Sequence, residues 1–338
     1  MVGGMGVKIE KITWSGEEAV YFTAGDYEAV MIPKIGANII ELKHKVLGCN
    51  IIRTPETLKE FKSKPIIFGI PILFPPGRIE DGKYSVNDMA YELPINDTIR
   101  NNHYHGIINK LPFTVTSTKV NKIEEYVEIE VSFWSNSFNE DVFRYFPHEF
   151  QCQMTYKLSK KGLEQKITFI NCSEKLMPLG VGFHTAFNVP FQADSKKENY
   201  ALTLSVGDKW LVNSRYLPTG NKVNLCDYEK KYRDGGVIPL EHPVNDTYTV
   251  QPLSFQGTPF NGAIIEDKEK NIKLYYEFGK DYKFCTVWNN EASSDFICIE
   301  PQTWMNNAPN LKLSSEETGF RVLLSGEKWS ETTKIFIE

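Results

Sequence analysis

The sequence has little that would point to a nucleic acid or a membrane as partner. Its net charge is −5 at pH 7, so it lacks the excess of basic residues that binds a phosphate backbone. Its longest apolar run, IIFGIPILF at 66–74, is too short to span a bilayer, and the N-terminus shows no apolar segment followed by a cleavage site. These absences predict a cytoplasmic protein that binds neither nucleic acid nor membrane.

Short motifs for common cofactors and nucleophiles are missing as well. No glycine-rich loop follows a strand and opens a helix, and neither H-E-x-x-H nor G-x-S-x-G occurs. The six cysteines are scattered without a C-x-x-C pair, which predicts reduced packing residues. Dinucleotide, P-loop, metalloprotease and serine-hydrolase chemistry therefore lose their usual support, and we expect neither a metal nor an organic cofactor.

What the sequence does contain is a strand pattern. Alternating apolar and polar positions recur along the chain, as in YVEIEVSFW at 126–134, FQCQMTYKLS at 150–159 and TKIFIE at 333–338. Helical pattern is scarce, and PETLKEFKSK at 55–64 is the best short candidate. No linker or low-complexity tract interrupts the chain. We therefore predict an all-β protein in which residues 1–338 form a single domain, built as one large sandwich.

Three stretches carry residues suited to proton transfer. His103 and His105 lie in NNHYHG, His184 lies in GVGFHTAFN, and Glu300 ends the apolar run FICIE. Alternate residues of an extended segment share a face, so His103 and His105 are expected to point the same way. Gly106 would let a ligand or a strand approach the backbone. A partly buried carboxyl at a sheet rim has a raised pKa suited to proton transfer, whereas each histidine could equally have a structural role.

Several motifs, in the same order along the chain, resemble the aldose 1-epimerases, or galactose mutarotase-like proteins. FGIPILFPPGR is similar to the family's G-x-P-x-L-F-P and G-R motifs, NNHYHG to N-x-x-H-G, YFPHEF to Y-P-x-x-F, GVGFHTAFN to G-x-x-H-x-x-F-N, and ICIEP to E-P. The resemblance covers most of the chain. It implies a large antiparallel β-supersandwich whose concave face binds one free sugar and interconverts its α and β anomers without a cofactor.

The resemblance also implies roles for individual residues. Glu300 matches the family's general base and His184 its general acid. Arg78 matches the arginine that holds sugar hydroxyls, and His105 matches the histidine near the sugar ring, with His103 as its neighbour. These five residues are the main candidates for the active site.

Further sugar contacts are expected from an amide, a carboxylate and an aromatic ring. Asn188 can hydrogen-bond a loop or a hydroxyl. The family's sugar-binding aspartate is best matched by Asp246, with Asp208 as the alternative. Candidates for an aromatic platform under the sugar are Phe187, Trp288 and Trp304.

Two departures from the galactose-specific enzymes leave the sugar open. Ile79-Glu80-Asp81 follows Arg78 where those enzymes continue A-N-R-I, and Thr-Ala follows His184 where they have Pro-Tyr. We expect a monosaccharide substrate and a monomer or homodimer. The alternatives are a non-catalytic sugar-binding protein of the same fold, a glycosidase using Glu300 with Asp246, and a hexose-6-phosphate 1-epimerase using Arg215, Lys209 or Arg144.

Overall fold

The structure, a computed structural model, describes residues 6–138, 140–255 and 257–338. Within them the chain consists mainly of β-strands. The strands up to residue 135 are β1 (Lys8–Trp14), β2 (Glu17–Ala24), β3 (Tyr27–Ile32), β4 (Asn38–His44), β5 (Cys49–Asn50), β6 (Ile72–Leu73), β7 (Arg78–Glu80), β8 (Lys83–Val86), β9 (Met89–Glu92), β10 (Asn102–Tyr104), β11 (Thr114–Asn121) and β12 (Tyr126–Ser135).

The later strands continue to the C-terminus. They are β13 (Phe150–Ser159), β14 (Gly162–Asn171), β15 (Met177–Pro178), β16 (Gly182–Phe183), β17 (Thr185–Asn188), β18 (Tyr200–Leu204), β19 (Val206–Val212), β20 (Pro218–Val223), β21 (Asn245–Val250), β22 (Leu253–Phe255), β23 (Thr258–Phe260), β24 (Gly262–Asp267), β25 (Ile272–Phe278), β26 (Phe284–Trp288), β27 (Phe296–Gln302), β28 (Val322–Leu323) and β29 (Lys328–Ile337).

The helices are short. They are α1 (Leu58–Ser63), α2 (Glu140–Phe143), α3 (Asp227–Asp234) and α4 (Ser315–Thr318), with 3-10 turns at Pro65–Ile67, Lys197–Asn199, Asn290–Ala292 and Ala308–Asn310. Helix α1 begins after Thr57, whose side chain accepts a hydrogen bond from the Glu60 N–H, and this confirms the one helix predicted from the sequence. Among the described residues, no helix has the length and apolarity needed to cross a bilayer.

Two large sheets and a five-stranded N-terminal sheet define the architecture. The first large sheet has the order β11-β12-β13-β14-β29-β25-β24-β18. The second has the order β20-β19-β21-β26-β27-β16-β6, with β17 also paired to β27, and the N-terminal sheet has the order β1 to β5. Neighbouring strands are antiparallel. The predicted all-β antiparallel sandwich is therefore confirmed, whereas the single domain stays a prediction.

Strand alternation places the core. In β13, every second side chain from Phe150 to Leu158 is at most 1% exposed, while the side chains between them are partly exposed. Full burial of a large apolar side chain stabilises the fold by about 1.5–3 kcal/mol relative to exposure, so a strand with this period is held in one register. Ile297 and Ile299 of β27 join the same core cluster. The alternate side chains, Cys298 and Glu300, therefore point to the opposite face of the second large sheet.

Candidate active site

A histidine and a glutamate meet on this opposite face. Glu300 lies in β27, and His184 lies between β16 and β17, where its N–H donates to the Pro71 carbonyl at 3.0 Å. The His184 Nε2 and Glu300 Oε1 atoms are 3.2 Å apart, and the two side chains are 4% and 3% exposed. Gln302, two residues further along β27, donates from Nε2 to Glu300 Oε2 at 3.4 Å. The structure thus brings together the two residues predicted as acid and base.

Burial shifts the pKa values of this pair in opposite directions. Loss of hydration raises the pKa of Glu300 to about 8, although the Arg78 cation and the Gln302 hydrogen bond act against the rise. Loss of hydration also lowers the pKa of His184 to about 4. At neutral pH the pair therefore holds one proton between two groups, so that one member can donate a proton while the other accepts one.

Arg78 and His105 are placed by the short pairing of β7 with β10. Tyr104 lies opposite Arg78 in this pairing, and the His105 N–H donates to the Gly77 carbonyl at 2.9 Å. The rings of His105 and His184 are 4.9 Å apart. Burial, with the neighbouring His184 and Arg78, holds the pKa of His105 well below its usual value. His105 is therefore a neutral imidazole beside the His184–Glu300 pair.

Glycines allow this close packing of loops. Gly106 has a φ of +83°, and a Cβ there would lie 2.4 Å from the Phe74 carbonyl oxygen. Gly77 has a φ of +68°, and a Cβ there would lie 1.7 Å from Asn306 Oδ1. The close approach predicted at Gly106 is confirmed, and its neighbour is the backbone of Phe74, directly after β6.

His103 does not share a face with His105, which corrects the prediction. The positive φ of His105, +64°, breaks the alternation where β10 ends. His103 is fully buried, and its Nδ1 lies 2.8 Å from the Pro94 carbonyl oxygen, to which it donates. Burial lowers the pKa of His103 to about 4, so the ring is neutral. His103 therefore has a structural role, because it ties β10 to the neighbouring loop.

A buried aspartate that sequence reasoning missed holds two arginines at the site. Asp97 is 9% exposed, and its Oδ2 lies 3.8 Å from Arg78 Nε while its Oδ1 lies 3.5 Å from Arg100 Nη1. The ring of Tyr216 packs against both guanidinium groups, with Cζ-to-centroid distances of 5.1 and 4.6 Å. The turn-rich segment PINDTIRNN was the available signal, since Asp97 and Asn102 pair across this turn.

Arg215 fixes the loop that carries Tyr216. Its guanidinium donates to Glu80 at 3.1 Å, to Asp81 at 2.6 Å and to the carbonyl oxygens of Arg100 and Asn101. Its side chain thus joins the loop between β19 and β20 to the loops around β7 and β10. Because these bonds occupy its donors, Arg215 is an internal brace of the site wall and not a free cation for a phosphate.

The predicted sugar-binding aspartate is wrong. Asp246 lies opposite Val287 in the pairing of β21 with β26, whereas the residues before and after it, Asn245 and Thr247, lie opposite Trp288 and Thr286. Alternation therefore points Asp246 away from the site, toward Lys209 at 3.8 Å. Asp208, the alternative, lies on β19, which two strands separate from β27.

Asn188 also lies away from the site, which corrects its predicted contact with sugar. It pairs with Phe296 in β27, four residues from Glu300, a separation of about 13 Å along a strand. Its amide nitrogen donates to the Asn50 and Ile52 carbonyl oxygens at 2.9 and 2.8 Å. Asn188 therefore fixes the N-terminal sheet to β17.

Of the three aromatic candidates, Trp288 lines the site. Its ring is 5.8 Å from that of His184 in an edge-to-face arrangement. Phe187 and Trp304 are at most 1% exposed, and the Trp304 indole donates to the Pro76 carbonyl. Phe187 and Trp304 are therefore core residues, and of these three candidates Trp288 is the one that lines the site.

His105, His184 and Glu300 could also be considered as ligands of a metal ion. One ligand atom of each lies within 4.8 Å of the others. The Arg78 cation acts on all three of these side chains and would oppose a divalent cation at the same place. The arrangement suits proton transfer better than metal binding.

Comparison with known proteins agrees with this fold. The sequence model of aldose 1-epimerase matches residues 18–335. The chain therefore belongs to the aldose 1-epimerase family, and the predicted resemblance is confirmed.

Solved structures include a similar chain of the same fold. A galactose mutarotase-like protein from Clostridium acetobutylicum is 39% identical, with a TM-score of 0.95 and 98% of both chains covered. Galactose 1-epimerase from Lactobacillus acidophilus NCFM shares the fold at 15% identity, with a TM-score of 0.74 over 98% of this chain and 99% of its own.

Curated relatives are more distant. The chromosomal LacX protein of Lactococcus lactis is 24% identical over 60% of this chain and 64% of its own length. The uncharacterized protein YihR of Escherichia coli K12 is 26% identical over 63% of both chains. The chain thus spans less than two thirds of either relative.

Proposed function

We propose that the protein is an aldose 1-epimerase that interconverts the α and β anomers of a free hexose by acid–base ring opening. The observation that carries this proposal is the buried 3.2 Å contact between His184 Nε2 and Glu300 Oε1. The contact lies in the wall of a cavity of about 510 Å³, which Arg78, His105 and Trp288 also line. Cavities of about 300–1,000 Å³ are typical of small-molecule sites.

Anomer exchange needs one acid and one base beside the same carbon. The proton of the pair first passes from Glu300 to His184 across their 3.2 Å contact. Glu300 then removes the proton from the C1 hydroxyl while His184 donates its proton to the ring oxygen, and the bond from C1 to the ring oxygen breaks to give the open aldehyde. Rotation about the C1–C2 bond turns the other face of the carbonyl toward the ring hydroxyl. Glu300 then returns its proton to the carbonyl oxygen as His184 takes the proton of the attacking hydroxyl. The pair ends with the one proton with which it began.

The other residues of the cavity bind and orient the sugar. The Arg78 guanidinium donates to sugar hydroxyls and is held by Asp97 at 3.8 Å. His105, neutral and 4.9 Å from the His184 ring, hydrogen-bonds near the ring oxygen. Trp288 packs against the apolar face of the sugar. Gln302 orients the carboxyl of Glu300 through its 3.4 Å hydrogen bond.

A hexose-6-phosphate 1-epimerase is the second candidate. Arg78 and Arg100 share one carboxylate, that of Asp97, and Arg100 is 33% exposed. This arrangement leaves positive charge in the cavity that could meet a phosphate. The glycosidase alternative loses Asp246 as the partner of Glu300, because Asp246 lies on the other face of the sheet.

The proposal is tested by NMR exchange spectroscopy of glucose, galactose and their 6-phosphates at pH 7, with an aryl glycoside as a control. We expect anomer exchange faster than in buffer for at least one sugar, and no hydrolysis of the glycoside. A folded protein that binds a sugar but accelerates the anomer exchange of none would instead be a sugar-binding protein. A monomeric or homodimeric assembly stays a prediction, for which light scattering is the measurement.

A further inference from the structure

A second cavity, of about 1040 Å³, adjoins the one that contains Glu300. Because seven residues line both cavities, the second cavity lies directly beside a ligand seated at the His184–Glu300 pair. Together they exceed the size typical of a site for one small ligand, about 300–1,000 Å³. The residues that line both are Ile66, Ile67, Asn96, Tyr104, His105, Trp288 and Asn290.

Arg53 lines the second cavity and offers it hydrogen-bond donors. The guanidinium of Arg53 lies between the rings of Phe68 and Phe296, with Cζ-to-centroid distances of 4.5 and 4.0 Å. Its side-chain hydrogen bond is a long one, from Nη1 to the Ile67 carbonyl at 3.4 Å. Within the part of the chain that the structure describes, no carboxylate lies within ion-pair distance of it. A guanidinium fixed between two rings keeps most of its five N–H groups for a ligand.

The position of Arg53 decides which part of a ligand it can meet. Phe296, against which it packs, is four residues from Glu300 on β27, or about 13 Å along the strand. Trp288 lies between Arg53 and the His184–Glu300 pair, since its ring is 5.7 Å from that of Phe296 and 5.8 Å from that of His184. A sugar ring whose C1 meets Glu300 ends near Trp288, so Arg53 is placed for a second unit.

The charge of the second cavity favours a neutral second unit. Lys64 and Lys110 line it together with Glu60 and Asp141, so acidic groups offset most of the positive charge. Tyr145 adds an aromatic ring to the same wall. Aromatic faces interleaved with polar side chains suit a sugar, whose rings have apolar faces and hydroxyl rims.

We infer that the cavity beside the acid–base pair is a second sugar subsite, and that the preferred substrate is a reducing disaccharide. The reducing unit lies at Glu300 and His184, and the second unit lies against Arg53. This inference rests on the proposed anomerisation, because the reducing unit is the one that undergoes exchange.

The test compares the anomer exchange of maltose, cellobiose and lactose with that of glucose and galactose. We expect kcat/KM to be higher for at least one disaccharide than for the hexose that forms its reducing unit. Ser63→Trp fills the second cavity from the end of α1, where the serine hydroxyl donates to the Glu60 carbonyl of the same helix. Ser63→Trp should lower kcat/KM for the disaccharide about tenfold or more, which is the effect of losing one charged hydrogen bond between Arg53 and the second unit. It should leave kcat/KM for the hexoses unchanged.

Two further variants keep the result interpretable. Lys59→Trp places the same side chain on α1 at an exposed position that does not line the cavity, and it should change neither substrate. Arg53→Lys keeps the charge but removes the planar fork, and it should weaken the disaccharide alone. Hexose exchange with no preference for any disaccharide, or an equal loss of both substrates in Ser63→Trp, would overturn the subsite but leave the proposed function intact.

If no sugar undergoes faster exchange, calorimetry of disaccharide binding decides separately. Binding of maltose, cellobiose or lactose that Ser63→Trp abolishes and Lys59→Trp preserves would support the subsite in a protein without epimerase activity. Equal affinity for hexose and disaccharide in all variants would reject it.

Discussion

Replacing Glu300 by glutamine separates the chemistry of this residue from its structural contribution. Glutamine has the size of a protonated glutamate, the form that burial favours here by raising the pKa to about 8. The contacts with His184 and Gln302 can be kept, but the side chain can neither pass a proton to His184 nor take one from the C1 hydroxyl. A positioned base contributes about 10²- to 10⁴-fold, so kcat for anomer exchange should fall by that factor at pH 7. NMR exchange spectroscopy measures this loss directly.

Glu300→Gln should lower activity but raise stability relative to the wild type as the pH increases. Because the folded pKa of Glu300 lies above the unfolded value near 4.5, its contribution to stability is present below pH 4.5 and is lost as the pH rises to about 8. The loss is at most about 1.4 kcal/mol per pH unit in this window. Glu300→Gln removes the titration. Its melting temperature, relative to the wild type, should therefore be higher at pH 8 than at pH 5.

Glu291→Gln is the matched control. Glu291 lines the same cavity but is exposed, so the same change of side chain should leave kcat within about twofold. If folded Glu300→Gln protein anomerises sugars as fast as Glu291→Gln protein, Glu300 is not the base and the assigned mechanism is wrong.

The remaining predictions concern pH and the walls of the site. Activity should form a plateau between about pH 4 and about pH 8, because the acid–base pair gains a second proton below this range and loses its only proton above it. A pH profile of kcat without these two limits would contradict the assignment. Asp97→Asn should raise KM about tenfold through loss of the charged contact with Arg78, whereas Asp246→Asn should leave KM unchanged. Equal effects on KM would mean that Asp246 binds the sugar after all. Arg215→Ala should raise KM more than it lowers kcat, because the loop that carries Tyr216 loses its hydrogen bonds to Glu80 and Asp81. An unchanged KM would show that these bonds are not needed for substrate binding. Gly106→Ala should lower the free energy of unfolding by about 1–3 kcal/mol, measured by denaturant titration, and a stable variant would mean that the loop shifts freely.

The local pattern of the chain was enough to predict its strands, whereas the proposed acid and base came from the family resemblance. FQCQMTYKLS corresponds to β13, because a period of two is a property of neighbouring residues and one buried face suffices to set it. Glu300 and His184 lie in short motifs whose order along the chain matches one family. Their contact at 3.2 Å spans 116 positions of sequence, and only that resemblance indicated it.

The errors arose where the direction of a side chain depends on a neighbouring strand. Asp246 and Asn245 are adjacent in sequence, and only the pairing of β21 with β26 decides which of them is turned to the site. His103 and His105 were placed on one face because the positive φ of His105 has no signature in the residue itself. Asp97 was missed because an aspartate in a turn is ordinarily a capping residue.

The sequence by itself determined the all-β architecture and the family, and it indicated the two residues proposed as acid and base, since alternation and short motifs depend on neighbouring residues. The tertiary structure alone decided the proton state of that pair, because burial, which no single residue reveals, raises the pKa of Glu300 and lowers that of His184. It also decided which carboxylate holds Arg78 and how far the cavity extends toward Arg53, because these depend on loops that meet only after the strands have paired.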